Sequence, residues 1–80
     1  MNYKLVKLKW IDSIQSHGWV HKNDLKELKM EIISVGYLIK EDKDFMVITS
    51  SISEESFCAP LQIPKIAITY FMELENDDSA

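Results

Sequence analysis

Short runs in which apolar and polar residues alternate constrain the fold of this chain more than any other feature. Between Lys4 and Asp12, the apolar Val6, Leu8 and Trp10 alternate with polar positions. This period of two is typical of a half-buried β-strand. None of the apolar runs approaches the roughly 20 residues that cross a bilayer, so the sequence predicts no membrane partner.

Alternation recurs in three later segments and predicts strands over residues 31–40, 57–63 and 66–74. The apolar run 45–48 predicts a fourth further strand. The all-charged tetrapeptide 41–44 predicts a hairpin tip between the second and third strands. A capping-box pattern predicts one short helix from Asp24 to about Met30, directly after the first strand.

These elements predict a mostly β protein, a small five-stranded barrel of the SH3-like or Sm-like type with one short helix after strand one. Ile63-Pro64-Lys65 would form the helical turn between the last two strands. The alternative is an α+β sheet with the helix packed on one face. Eighty residues support one core. We expect a β-barrel domain over residues 1–74 and an acidic, disordered tail over residues 75–80.

The charge distribution argues against a protein that covers a nucleic-acid backbone. The net charge is −4, and all nine basic residues are lysines. Arginine is the usual partner of guanine and phosphate, so we predict neither DNA nor RNA as a partner. Residues 1–30 carry +3 and residues 31–80 carry −7. A few lysines are nevertheless enough to hold one or two phosphates of a small anion.

The sequence contains no recognisable catalytic or metal-binding pattern. His17 and His21 lie four residues apart, but Gly18 between them disfavours the helix that a shared zinc ion would need. Cys58 and Ser13 lack a base and an orienting acid in the order of a nucleophile triad. We therefore predict no enzyme, no cofactor and no metal. One cysteine, without a signal-peptide pattern, predicts a reducing cytoplasm.

The aromatic residues and one glycine are the better candidates for a binding site. Trp10, Trp19 and Tyr37 lie near polar residues, a mixture that can stack a nucleobase and hold its phosphate. The alternative is that both tryptophans belong to the core and its cover. Gly36, inside a β-branched strand, indicates either a sharp bend or the close approach of a ligand or partner chain.

Several short motifs follow one another in a fixed order along nearly the whole chain. They are Trp10-Ile11-Asp12, Gly18-Trp19, Ser34-Val35-Gly36 and Ile63-Pro64. This pattern resembles a widespread family of small tailed-phage proteins, with Tyr37 at a position where Trp is common. Within that group, the chain resembles the anti-CBASS sponges, oligomers that sequester cyclic dinucleotide alarm signals without cleaving them.

The resemblance implies a phage-encoded anti-defence protein in the cytoplasm of the infected bacterial host. Its ligand would be a cyclic dinucleotide such as 3'3'-cGAMP, held by a homo-oligomer, a dimer or tetramer, because a two-fold interface repeats each side chain around a two-fold ligand. The predicted ligand-binding residues are Trp10, Asp12, Ser13, Trp19, Ser34, Gly36, Tyr37, Lys40 and Lys65. The tryptophans would stack on the bases, the lysines would lie near phosphate and the serines would form hydrogen bonds.

Two other functions are also compatible with the sequence. The first is an SH3-like protein–protein interaction adaptor of a phage, without a nucleotide ligand, that docks its partner in a groove or along an open strand edge. The second is an Sm-like RNA binder, whose affinity would fall steeply with salt. The missing arginines argue against the second.

Overall fold

The computed structural model describes residues 3–13, 18–25 and 29–75. Within these ranges the chain forms five strands and two short 3-10 turns, without an α-helix. The elements in chain order are β1 (Lys4–Asp12), η1 (Lys22–Asp24), β2 (Met30–Glu41), β3 (Phe45–Thr49), β4 (Leu61–Pro64), η2 (Lys65–Ala67) and β5 (Ile68–Glu73). The predicted mostly β class and the number of strands are confirmed.

The strands form one antiparallel sheet in the order β4-β3-β2-β1-β5. β4 and β5 lie at opposite edges, and no ladder joins them in the described part of the chain. The sheet is therefore open, and the predicted closure into a barrel is not present. Among the residues that the structure describes, β4 pairs with β3 and β5 pairs with β1, so each of the two strands has one edge without a ladder.

The connection between the two edge strands requires the open sheet to coil. In a flat five-stranded sheet the outer strands would lie about 19 Å apart, whereas three residues in a 3-10 turn span about 6 Å. Only the three residues of η2 join β4 to β5. The edges must therefore approach one another at the η2 end, although their backbones do not pair.

The core lies on the concave side of this coiled sheet. Its buried apolar side chains come from three strands and are Val6, Leu8, Trp10, Ile48 and Ile63. The three from β1 are those that the alternating pattern singled out. Along β2 the pairing register places Ser34 and Gly36 on this side, opposite Leu8 and Val6. The β-branched Ile33 and Val35 therefore lie on the outer side, and both are exposed.

The predicted helix after the first strand is wrong at both of its ends. Leu25 is extended, with φ −66° and ψ 118°, and Met30 already belongs to β2. Residues 26–28, the middle of the predicted helix, lie outside the described residues. The observed turn, η1, comes earlier because the backbone N–H of Asp24 donates to the His21 carbonyl at 2.8 Å.

The last two strands are shorter than predicted. Residues 57–60 form a loop, because Ala59 has a φ of 40° and Pro60 cannot donate to a ladder. β5 begins at Ile68 because η2 occupies the three preceding residues. Residues 76–80 of the predicted tail lie outside the described residues. Among the described residues, no helix is long and apolar enough to cross a membrane.

Candidate functional site

A cleft of about 400 Å³ lies between the end of β1 and the η2 turn, and we call it the η2 cleft. Its lining residues come from these two segments and are Trp10, Ile11, Asp12, Ser13, Pro64, Ile66 and Ala67. Three of the predicted site residues, Trp10, Asp12 and Ser13, meet here. The cleft follows from the coiling of the sheet, which brings the β4–β5 connection next to the end of β1.

Lys65 fixes the η2 wall of the cleft to the β2–β3 hairpin. Its backbone N–H donates to the Asp44 carbonyl at 2.8 Å, and its ammonium group lies 2.7 Å from a carboxylate oxygen of Glu41. The backbone N–H of Ile68 closes the turn on the Lys65 carbonyl. These bonds leave the next side chain, Ile66, pointing away from the core, and it is 98% exposed.

Trp10 forms the inner part of the β1 wall. It is only 9% exposed, and its indole Nε1–H donates to the Ser34 hydroxyl at 3.1 Å. A register irregularity between Lys9 and Trp10 locally changes the pairing of β1 with β5. At the bulge, the Thr69 hydroxyl donates to the Lys9 carbonyl at 3.3 Å. Trp10 is thus a core residue with one edge at the cleft.

Asp12 and Ser13 form the polar rim of the cleft. An Asp12 carboxylate oxygen accepts the backbone N–H of Ser13 at 2.9 Å, which holds the chain as it leaves β1. The carboxylate places a negative charge at the rim, where it attracts cations and repels anions. The Ser13 side chain is exposed.

The other predicted site residues are not gathered in this cleft. Trp19 is fully exposed in the segment between β1 and η1, and it does not line the cleft. Ser34 lies behind Trp10 as its hydrogen-bond acceptor, whereas Tyr37 lies on the other side of the sheet because strand residues alternate. Lys40 is exposed near the end of β2. The ammonium group of Lys65 pairs with Glu41 rather than facing the cleft.

Gly36 is required by the packing of β3 on β2. It is buried, and a Cβ atom at this position would lie 2.8 Å from the carbonyl oxygen of Thr49 and 3.3 Å from the carbonyl carbon. Both are backbone atoms of the neighbouring strand, which cannot easily give way. The close approach that the sequence indicated is therefore made by the chain itself.

A second, smaller cleft of about 280 Å³ opens where β3 ends beside β2. Its lining residues are Ser34, Val35, Ile48, Thr49, Ser50, Ala59 and Leu61. The loop on its far side is tied down by the buried Thr49 hydroxyl, which lies 2.6 Å from the Cys58 carbonyl and 3.1 Å from that of Ser51. Apart from Ser34, the sequence did not identify these residues.

Two exposed charged groups have pKa values that depart from their ordinary values, and neither lines a cleft. Hydrogen bonds from the backbone N–H groups of Asp44 and Phe45 lower the pKa of Asp42. A hydrogen bond to Glu73 raises the pKa of Lys4. Within the described ranges, no three potential metal-ligating side chains lie together.

Ile66 lines the η2 cleft, and the sequence pattern did not identify it as a site residue. Its apolar neighbours in the sequence placed it at the start of the last predicted strand. The signal that could have identified it is Pro64, two residues earlier, which ends β4 and allows the turn. No protein-family model, curated protein or solved structure matches the chain. The resemblance to small tailed-phage proteins therefore stays a prediction from motifs.

Proposed function

We propose that the protein is a small, non-catalytic interaction module that docks a partner protein in the η2 cleft. The observation that carries this proposal is Ile66, which is 98% exposed at an apolar cleft of about 400 Å³. Burying an isoleucine side chain is worth roughly 1.5–3 kcal/mol. Backbone hydrogen bonds of Lys65 and Ile68 hold the turn on either side of Ile66, so little backbone conformational entropy is lost when a partner covers it.

The topology supports an SH3-like or Sm-like module as the finer description of the fold. The strand order, the coiled sheet and the single 3-10 turn between β4 and β5 are the features expected of such small barrels. A fold of this type carries many functions, so the function rests on the cleft.

The chemistry of the η2 cleft favours a polypeptide over a phosphate. Asp12 places a carboxylate at the rim, and the nearby ammonium group of Lys65 is paired with Glu41. A phosphate in the cleft would be repelled by the Asp12 carboxylate, and the ammonium group of Lys65 would not be free to pair with it. The partner we propose therefore presents an apolar side chain to Ile66 and Trp10, and a basic side chain to Asp12.

A second candidate is supported by the fully exposed indole of Trp19 and by the size of the cleft. Ligand pockets commonly have volumes of about 300–1,000 Å³, and exposed indoles are good stacking platforms for bases. This candidate is the anti-CBASS function, in which a homo-oligomer sequesters a cyclic dinucleotide in the host cytoplasm. Calorimetric titration with a panel of cyclic di- and trinucleotides tests it, and an absence of heat with every member would contradict it.

Affinity capture with a matched pair of surface variants tests docking in the η2 cleft. Ile66→Ser removes the anchor, whereas Leu25→Ser removes an exposed leucine that does not line the cleft. Wild type and Leu25→Ser should retain one stoichiometric protein partner, and Ile66→Ser should weaken its binding about tenfold or more. Equal retention by all three proteins would show that the partner binds elsewhere.

A further inference from the structure

The outer face of the sheet carries a block of six side chains from β2, β1 and β5, which we call the lysine face. The ladder register arranges them in two neighbouring rows across the three strands. The first row is Val35, Lys7 and Met72, and the second row is Ile33, Lys9 and Tyr70. Each row therefore has a lysine in its centre and an apolar or aromatic side chain on either side.

Two contacts hold the β5 side of the lysine face in place. The Tyr70 hydroxyl donates to the sulfur of Met72 at 3.0 Å. The ammonium group of Lys9 lies 5.4 Å from the centroid of the Tyr70 ring, a cation–π contact. These contacts agree with the register in placing the three side chains on the same side of the sheet, and they order this part of the surface before a partner binds.

The side chains that flank the two lysines are unusually exposed for their type. Their exposed fractions are 56% for Ile33, 54% for Val35, and 43% for both Tyr70 and Met72. Single exposed apolar side chains are normal on a protein surface, whereas a contiguous patch marks an interaction site. The methylene groups of the two lysines lie between the flanking side chains and connect them. The patch is about two strand spacings wide, about 9.6 Å.

The two lysines determine which partner can cover this patch. Among the described residues, neither Lys7 nor Lys9 forms an ion pair. A purely apolar partner would remove both ammonium groups from water without compensation, which is costly. A partner that covers the patch must therefore bring carboxylates. Alternate residues of a strand lie about 6.6 Å apart, and residues four apart on a helix have a similar spacing, so either structure can match the two lysines.

We propose that the lysine face binds a segment of a partner protein that presents two carboxylates to Lys7 and Lys9, and apolar side chains to the positions beside them. This surface shares no lining residue with the η2 cleft, where Asp12 favours a basic side chain. The chain therefore has two docking surfaces of opposite charge preference, and each holds or fails without the other.

A second copy of the chain and an anionic membrane match the lysine face less well. A two-fold contact centred on the face would put the lysines of one copy against those of the other. A membrane plane would extend beyond the face and meet Glu31, which is exposed on the same side of β2, two residues before Ile33. The net charge of −4 adds to that repulsion. A short polypeptide segment avoids both problems.

Selection from a displayed library of random peptides tests the predicted chemistry. The whole wild-type chain is the bait, and peptides that also bind an Ile33→Ser/Val35→Ser variant are removed, because they bind elsewhere. Circular dichroism checks that the variant folds. The remaining peptides should combine two or more acidic residues with apolar ones and contain few basic residues. Neutral or basic peptides, or no enriched peptide at all, would overturn the proposal.

The affinity of the selected peptide, measured by fluorescence anisotropy, tests the charge pairing. Lys7→Glu/Lys9→Glu should weaken binding about tenfold or more, because two attractive pairs become repulsive. The matched control is Lys40→Glu/Lys43→Glu, which changes the net charge equally at exposed positions away from the lysine face, and it should change the affinity less than about twofold. Equal effects of the two double variants would contradict the pairing.

A charge exchange keeps this test valid if the substitutions disturb the fold. A peptide in which lysines replace the two carboxylates should bind Lys7→Glu/Lys9→Glu more tightly than it binds wild type, which only a folded variant can show. Ile66→Ser should leave the affinity of the acidic peptide unchanged. A loss with Ile66→Ser would place the peptide in the η2 cleft and overturn the proposal.

Two further measurements follow the other occupants. Sedimentation equilibrium reports self-association, and co-sedimentation with phosphatidylglycerol vesicles reports membrane binding. If either is observed for wild type and is lost in Lys7→Glu/Lys9→Glu, while no acidic peptide binds, the lysine face belongs to that occupant and the proposal is wrong.

Discussion

The indole N–H of Trp10 donates a hydrogen bond of 3.1 Å to the hydroxyl of Ser34 on the neighbouring strand. Ser34 lies opposite Leu8 in the β1–β2 ladder, so the bond runs diagonally across the inner face of the sheet. Both residues were predicted to bind a ligand. In the folded chain they bind each other, and the bond allows a large indole to be buried at the end of the core.

Ser34→Ala tests the contribution of this bond. The substitution leaves the buried indole N–H without an acceptor, and we expect it to lower the free energy of unfolding by about 1–2 kcal/mol. Urea denaturation measures the change. Ser50→Ala, at an exposed position, is the matched control and should change the free energy by less than about 0.5 kcal/mol. Equal effects would show that the bond contributes nothing specific.

Gly36→Ala tests the close packing of β2 on β3. The added Cβ would lie 2.8 Å from the backbone oxygen of Thr49, so one of the two strands must shift. We expect a loss of about 1–3 kcal/mol in the free energy of unfolding. The control is Lys40→Ala, an exposed position on the same strand, with a loss of less than about 0.5 kcal/mol. A stabilised Gly36→Ala variant would contradict the close approach.

Thr49→Val tests the anchor of the loop that follows β3. The buried hydroxyl is within hydrogen-bond distance of the Cys58 and Ser51 carbonyls, and valine keeps the shape while removing the donor. We expect a loss of about 1–2 kcal/mol and faster proteolysis within residues 50–60. Thr69→Val removes a hydroxyl with a longer, exposed bond of 3.3 Å and should have the smaller effect. The reverse order would refute the anchor.

Asp42 gives the fold a dependence on acid pH. Its carboxylate accepts two backbone N–H groups at 2.8 Å each, and these bonds lower its pKa from the ordinary value of 3.8. A lowered folded-state pKa means that the stabilisation is complete above the ordinary value and is lost as the pH falls through the folded-state value. Thermal denaturation of wild type and Asp42→Asn across this range should show a stability difference that shrinks on acidification.

The control for this pH series is Glu54→Gln, which removes one negative charge from the loop between β3 and β4. It separates the local effect at the hairpin from a general effect of net charge. If the difference between wild type and Asp42→Asn stays constant or grows as the pH falls, the hairpin carboxylate does not have the role assigned to it.

The elements that the sequence predicted well are those whose structure is determined by the local residue pattern. β1 has the predicted bounds, Lys4–Asp12, and its centre is the run in which Val6, Leu8 and Trp10 alternate with lysines. β2 and its charged hairpin tip also lie where the pattern indicated. The later boundaries depend on the positive φ of Ala59 and on the 3-10 turn at Lys65–Ala67. Both are stabilised by contacts with distant segments, which no local pattern reports.

The candidate site was predictable only in part, for a related reason. Trp10, Asp12 and Ser13 belong to one strand end, so their proximity follows from the sequence. Their neighbours across the cleft, including Ile66, come from the β4–β5 connection and are brought there by the coiling of the sheet. The sequence shows which residues are aromatic or charged, but not that Trp10 is buried or that Lys65 is paired with Glu41.

The most direct test of docking in the η2 cleft is site-specific photo-cross-linking from position 66, in the cells in which the protein acts. A photoreactive side chain in place of Ile66 should give one discrete covalent adduct with a single polypeptide, and the same group in place of Leu25 should not. Adducts of equal yield and identity from both positions, or adducts with nucleotide alone at position 66, would contradict the account.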